Sequence, residues 1–275
     1  MKRLGKNPYR YWIIAGLVLF FIATIFINVW IRKEGFKERS NYMEGLDVIY
    51  WINLDRSNER RENMVKVLDD DILQDVPKIR IIANDGKTPE KVYKKIGDFE
   101  KQDSTSDSEY ACLLSHMDAI RTFYDSEHKV ALIFEDDITL EFKKYWKKSI
   151  KQITDEAPDN WDIIMLWYNV SSDGFNVEEI KKRTGEDGAV SYLVSRNGAN
   201  KLIKDSYKNG KYNLTSEFPH KSDIYIYGKL NTYVYKYPMF VFPTNNDSEL
   251  HQNHVELLHN VSKRNAISAY ESESK

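Results

Sequence analysis

Three consecutive carboxylates, Glu135, Asp136 and Asp137, follow the apolar run Val130-Ala131-Leu132-Ile133-Phe134. Adjacent carboxylates repel one another, so something positive must neutralise them. Hard oxygen ligands suit Mg²⁺ or Mn²⁺, ions that bind through one or two carboxylates plus substrate phosphates. Residues i and i+2 of an extended segment point the same way, so Glu135 and Asp137 are the pair that can share an ion. The plain alternative is a solvated acidic turn at a strand end. The preceding run argues against it. It is too short for a helix core, and its Val, Ile and Phe content reads as a strand buried on both faces, inside a parallel or mixed sheet covered by helices. In such sheets ligands bind beyond the carboxyl ends of the strands.

Other residues bring chemistry of the matching kind. Asp47 to Leu54 reads as a first strand, and Asp55 to Arg61 as a turn that opens a helix running through Leu68. Ser57 or Asn58 is placed to cap that helix. Arg56, Arg60 and Arg61 beside a helix N-terminus make a diphosphate cradle, although helix arginines are often simply solvated. Lys78 to Ala83 reads as a second strand closed by a turn at Asn84-Asp85-Gly86, where Asp85 is a candidate nucleotide contact. Asp223 precedes an apolar run and is read either as a helix cap or as a general base. Three of the six histidines, His251, His254 and His259, lie near the C-terminus. Of these His251 is the candidate third metal ligand, against the alternative of a polar amphipathic tail.

The elements that must position these groups alternate between strand and helix. Residues 98–108 read as a polar loop. Glu109 to Tyr124 reads as a helix with Cys112, His116, Ala119, Ile120 and Phe123 on one face, which makes His116 a core histidine before it is a ligand. Glu141 to Ile153 reads as a lysine-rich amphipathic helix, Trp161 to Trp167 and Gly188 to Ser195 as strands, Gly198 to Tyr207 as a helix, and Lys229 to Val241 as late strands.

At the N-terminus, Tyr11 to Ile31 is uncharged, and its 21 residues span about 31 Å as a helix, enough to cross a bilayer. Trp12 and Trp30 sit at its two ends, as interfacial aromatics do. The expected organisation is a cytoplasmic tail (1–10), a transmembrane signal anchor (11–31), a charged stem (32–45), a globular domain (46–250) and a polar tail (251–275). Four Lys/Arg lie on each flank of the anchor, so charge does not orient it. The large C-terminal part favours a single-pass type II protein with a luminal domain in the endoplasmic reticulum or Golgi. Sequons at Asn169, Asn213, Asn246 and Asn260 fit a secretory lumen. Net charge of −2 and pI near 6.3 give no argument for nucleic acid, and a single cysteine, Cys112, excludes an intrachain disulfide. No Gly-rich phosphate loop supports a kinase or NTPase.

Several stretches together resemble glycosyltransferase family 25, which includes bacterial lipooligosaccharide galactosyltransferases and procollagen hydroxylysine galactosyltransferases. Tyr50-Trp51-Ile52-Asn53-Leu54-Asp55-Arg56 with Arg60-Arg61 is similar to the family's I-N-L-x-R…R-R start. Ala83-Asn84-Asp85-Gly86 resembles its A-x-D-G turn. Glu109, Cys112, Leu114, Ser115 and His116 match G-E-x-G-C-x-L-S-H, with Ser108 and Ala111 in place of the two glycines. Ile133 to Asp137 is similar to its strand ending in E-D-D, and Gly188 to Leu202 to its G-x-x-x-Y-x-x-S-x-x-G-A-x-K-L. Asp223 falls where the family has an acid after a proline, here displaced to Pro219. The resemblance covers residues 47–250. It implies a GT-A-type α/β fold with a mixed, mostly parallel sheet flanked by helices. It also implies a nucleotide-sugar donor, UDP-linked and galactosyl by default, a glycan or protein acceptor, and Mn²⁺ (or Mg²⁺) on the acidic motif. Asn53, Arg56, Arg60, Asp85 and Asp136 then fall to the nucleotide-sugar, Glu135 and Asp137 to the metal, and Asp223 to the base of an inverting transfer. Two other readings stand beside this one. The first is a catalytically inactive, glycosyltransferase-like luminal module that binds glycans or partners. The second is another metal-dependent phosphate enzyme, such as a nucleotidyltransferase.

Overall fold

A computed structural model describes residues 24, 42–97, 101–175, 178–243 and 260–273. The expected anchor at 11–31 (residue 24 apart), most of the stem, and His251, His254 and His259 lie outside the described residues. Among the described residues no helix is long and apolar enough to cross a membrane. Met43–Lys275 forms one compact unit.

In chain order the elements are β1 (Val48–Asn53), α1 (Asn58–Leu68), β2 (Lys78–Ile82), α2 (Pro89–Lys94), α3 (Asp107–Tyr124), β3 (Val130–Glu135), α4 (Ile150–Glu156), β4 (Ile163–Met165), β5 (Ile180–Lys182), β6 (Ser191–Ser195), α5 (Arg196–Ser206), β7 (Tyr207–Lys208), β8 (Lys211–Tyr212), α6 (Ser222–Lys229), β9 (Thr232–Tyr235) and α7 (Asn260–Glu273). Seven strands make one sheet in the order β2-β1-β3-β6-β4-β9-β5. β1 is paired in parallel with β2 on one side and with β3 on the other. β6 runs antiparallel between β3 and β4, β9 runs parallel to β4, and β5 closes the edge antiparallel to β9. The expected mixed, mostly parallel sheet flanked by helices is thus present. All six residues of β1 and the middle four of β3 are buried, which is why both strands read as unbroken apolar runs rather than alternating ones.

α3 is the helix around which the β1–β3 half of the sheet is packed. It meets β1, β2, β3, α2, α5 and α6. Surrounded in this way, it is buried on nearly every side, where the sequence pattern suggested a single apolar face. It starts two residues earlier than expected because Ser106 and Glu109 form a reciprocal capping box, which satisfies donors that a helix start otherwise leaves unpaired.

The single helix expected over Glu141 to Ile153 is instead a short 3₁₀ turn, Glu141–Tyr145, followed by α4. The chain turns extended at Trp146, whose buried indole Nε1 donates to Met239 O at 2.8 Å. Ser149 then caps α4 with a second capping box. Beyond residue 250, α7 seats on the domain: Ala266 and Tyr270 are buried, Tyr270 donates to Pro238 O at 2.7 Å, and Glu273 pairs with Lys147 and Lys236.

Candidate active site

Sheet register brings the chemistry-bearing residues together. Ile52 lies opposite Glu135, and Asn53 opposite Ile82. Three parallel strands therefore end side by side, and each feeds a polar segment: β1 into Asp55–Arg61, β2 into Asn84–Gly86, and β3 into Asp136–Asp137. Between them opens a cleft of about 710 Å³, its mouth included. Asn53, Arg56, Arg60, Asp85, Glu135, Asp136 and Asp137 all line it. Asp223 does not, and His251 is outside the described residues.

The three carboxylates divide between two environments. Arg60, from the first turn of α1, pairs with both aspartates: Nε lies 3.0 Å from Asp136 and Nη2 lies 2.5 Å from Asp137. Asn53 donates to Asp136 at 2.5 Å and accepts from Arg80 at 3.0 Å. Part of the neutralising charge required by the sequence therefore comes from within the chain. Burial pushes the Asp137 carboxyl up, Arg60 opposes this, and Glu135 and Asp136 push it up further, so the net direction is upward. One Asp137 oxygen, Oδ1, is buried without a hydrogen-bond partner.

Glu135 turns the other way, toward α3. His116 is fully buried, with Nε2 3.2 Å from Glu135 Oε1 and Nδ1 2.9 Å from the Tyr192 hydroxyl. Burial disfavours the His116 cation, but Tyr192, Cys112 and Glu135 more than offset it and hold the imidazole well above its ordinary pKa. His116 is thus a core histidine, as its helix face suggested, and also a cleft residue. The signal for the second role lay in Cys112 and His116 falling four apart, one turn of α3 from each other.

On the cleft's outer side Arg56 pairs with Asp85 at 2.9 Å, while Lys87 N–H donates to Asp85 Oδ1 at 2.9 Å. Burial would raise the Asp85 carboxyl, but the Lys87 amide and Arg56 hold it below the usual range. Arg61 reaches Asp55 and Asn58. Ser57 occupies the N-cap position of α1, although its side chain makes no cap hydrogen bond. Gly86 is required by close approach: a Cβ there would stand 2.6 Å from Ser108 Cα.

Asp223 sits in the first turn of α6, where Lys221 occupies the cap position. Its Oδ2 accepts from Gly188 N–H at 3.1 Å. Gly188 has a positive φ of 123°, and its carbonyl accepts from Tyr227 at 3.0 Å. Two residues on, Val190 O accepts from Glu135 N–H at 3.0 Å. Asp223 is therefore tied through one short backbone segment to the end of β3, beside the cleft rather than in it. Sequence reading missed its neighbour Asp187, whose carboxyl is raised by burial and then by Asp223, with Arg183 opposing.

Parallel strands ending in a shared cleft with basic and acidic rims are the place where open α/β sheets bind their ligands. Comparison with known proteins narrows the class. Residues 46–218 match the model of glycosyltransferase family 25 (LPS biosynthesis protein), and the chain belongs to this glycosyltransferase family. It is 28% identical over 177 residues to procollagen galactosyltransferase 2 of Homo sapiens, and 27% identical over 177 residues to that of Mus musculus. It is 26% identical over 178 residues to procollagen galactosyltransferase 1 of Danio rerio. Each match takes in 58% of this chain but only 28–29% of the relative, so the chain spans under a third of those proteins' length.

Proposed function

We propose that this domain transfers a sugar, galactose by kinship, from a UDP-linked donor to a hydroxyl of a glycan or protein acceptor. The observation that carries the reading is the cleft at the aligned ends of β1, β2 and β3, where guanidinium groups and an acidic triplet face one space. Arg56 and Arg60 are placed to exchange their carboxylate partners for the oxygens of a diphosphate, which guanidinium binds in the same forked geometry. Asn53, Asp85 and Asp136 orient the nucleotide-sugar.

A divalent cation fits the donor set. Asp136 and Asp137 share the one guanidinium of Arg60, and Asp137 Oδ1 is buried without a hydrogen-bond partner. Glu135 and Asp137 would hold Mn²⁺ or Mg²⁺, which when bound neutralises the diphosphate and stabilises the departing nucleoside diphosphate. Asp223 would take the proton of the acceptor hydroxyl as its oxygen attacks the anomeric carbon from the face opposite the leaving phosphate. That geometry inverts configuration. The GT-A-type assignment, the type II anchor at 11–31 and a luminal setting in the endoplasmic reticulum or Golgi belong to the same proposal. The inactive-module reading draws on one observation, the engagement of Asp223 with Gly188 outside the cleft.

A donor screen tests the proposal. UDP-, GDP- and CMP-sugars are incubated with the protein, with Mn²⁺ or with EDTA, and free nucleotide is measured. Release of UDP only, and only with metal, is expected. Pyrophosphate as product would instead identify a nucleotidyltransferase. No turnover, together with retained glycan binding, would identify the non-catalytic module.

A further inference from the structure

We propose that Cys112, His116 and Glu135 form a site for a thiophilic divalent cation of the zinc class, separate in chemistry from the all-oxygen pair Glu135 and Asp137. One ligand atom from each residue lies within 4.8 Å of the others, and all three residues line the cleft. The spacing of one ligand pair matches the ion. Donors on a tetrahedral Zn²⁺, with bonds of about 2.0–2.3 Å, stand about 3.3–3.6 Å apart. His116 Nε2 and Glu135 Oε1 are 3.2 Å apart already, so an ion can take the place of the proton they share with little movement.

The donors are mounted rigidly. His116 is buried on α3 at the centre of the packing, Cys112 is half-buried one turn before it, and Glu135 is the last residue of β3. Tyr192, itself fully buried, holds His116 Nδ1 at 2.9 Å and so directs Nε2 toward Glu135. An outer partner on the second ring nitrogen is the usual support of a metal-bound imidazole. Thiolate and imidazole select zinc over Mg²⁺ or Mn²⁺, which prefer carboxylate and water. Three protein ligands leave the fourth position open to the cleft, the pattern of an accessible rather than a closed site. On binding, the Cys112 thiol and the His116 imidazolium each release a proton to solvent, so that the ligands are thiolate, neutral imidazole and carboxylate. Because Glu135 belongs to both donor sets, zinc there competes with the ion shared with Asp137. That consequence for activity rests on the proposed function, whereas the binding itself does not.

The test uses the full chain in detergent micelles, with Co²⁺ as a spectroscopic substitute for zinc. The sequence holds one cysteine, so a thiolate-to-cobalt charge-transfer band can report only Cys112. A saturable band at one equivalent is expected. It should be discharged by Zn²⁺, absent in Cys112→Ser, weakened at least ~10-fold in affinity in Glu135→Gln, and retained in Asp137→Asn. Circular dichroism verifies that each variant is folded. No band from the folded wild-type chain would overturn the site, as would a band that Glu135→Gln leaves at full affinity. No sugar donor is present, so a negative result leaves the transferase reading standing, and the donor screen can fail without touching this one.

Discussion

Asp136 and Asp137 face a guanidinium at the cleft's rim, while Glu135, one residue earlier, faces a fully buried imidazole. The same functional group in consecutive positions therefore answers to two different physics. On the rim, Arg60 and Asp137 remain in contact with solvent, with side-chain exposures of 19% and 17%. Their pairing there is exchangeable, so an incoming diphosphate or cation can replace either partner. Toward the core, His116 is 0% exposed and linked on both ring nitrogens. Its hydrogen bonds cannot be surrendered to water without a large penalty. The rim is built to be rearranged by a ligand. The core side is built to hold Glu135 still while that happens.

Substitutions on the two sides should separate stability from ligand binding. The largest effect on folding is expected from His116→Ala, which opens a cavity under α3 and strips partners from Tyr192 and Glu135. Chemical denaturation should show a loss of about 3 kcal/mol, and a loss below about 1 kcal/mol would break the contrast. Arg60→Ala should cost about 2 kcal/mol, below the figure for a fully buried pair because the site is part-solvated, while abolishing measurable UDP binding. A region far from the cleft supplies a control. Burial favours the neutral form of Glu273, but Lys236 and Lys147 outweigh it and lower its pKa from 4.5 to about 2. A depressed carboxyl contributes stability that is complete above pH ~4.5 and is lost as pH falls toward ~2. The contribution is about 1 kcal/mol after allowing for solvent screening at 29% exposure. Stability curves of wild type and Glu273→Gln should therefore converge at the acid end, with nucleotide binding unaltered at neutral pH. The smallest effect on folding is expected from Arg56→Ala. Arg56 is exposed and its partner Asp85 only half-buried, so stability should change by less than about 1 kcal/mol while the Kd for UDP rises about 10-fold.

What the sequence disclosed follows the same division. Strands β1 and β3 were legible because burial on both faces leaves an unbroken apolar run, and their acidic and basic exits were legible because charge next to such a run has few structural uses. Pairings across the fold were not. Arg60 meets Asp137 across 77 positions, and sequence alone attributed the neutralisation of that carboxylate to a metal. His116 reaches Tyr192 across 76 positions, and helical periodicity could reveal only that it points inward. The break at Trp146 was hidden for a similar reason. Lysine-rich periodicity continues through it, and only the distant Met239 carbonyl gives the indole cause to leave the helix. Asp223, read as either cap or base, proved to hold Gly188, a contact decided by where β6 begins rather than by its own neighbours.

The central claim is that the cleft binds a nucleoside diphosphate through its guanidinium groups together with a cation on the acidic triplet. Calorimetric titration of UDP into the full chain, with Mn²⁺ and again with EDTA, tests it most directly. Binding that requires Mn²⁺ and is lost in Asp137→Ala, with the variant still folded, is the predicted result. UDP binding of equal strength in EDTA, or binding that Asp137→Ala leaves intact, would contradict it.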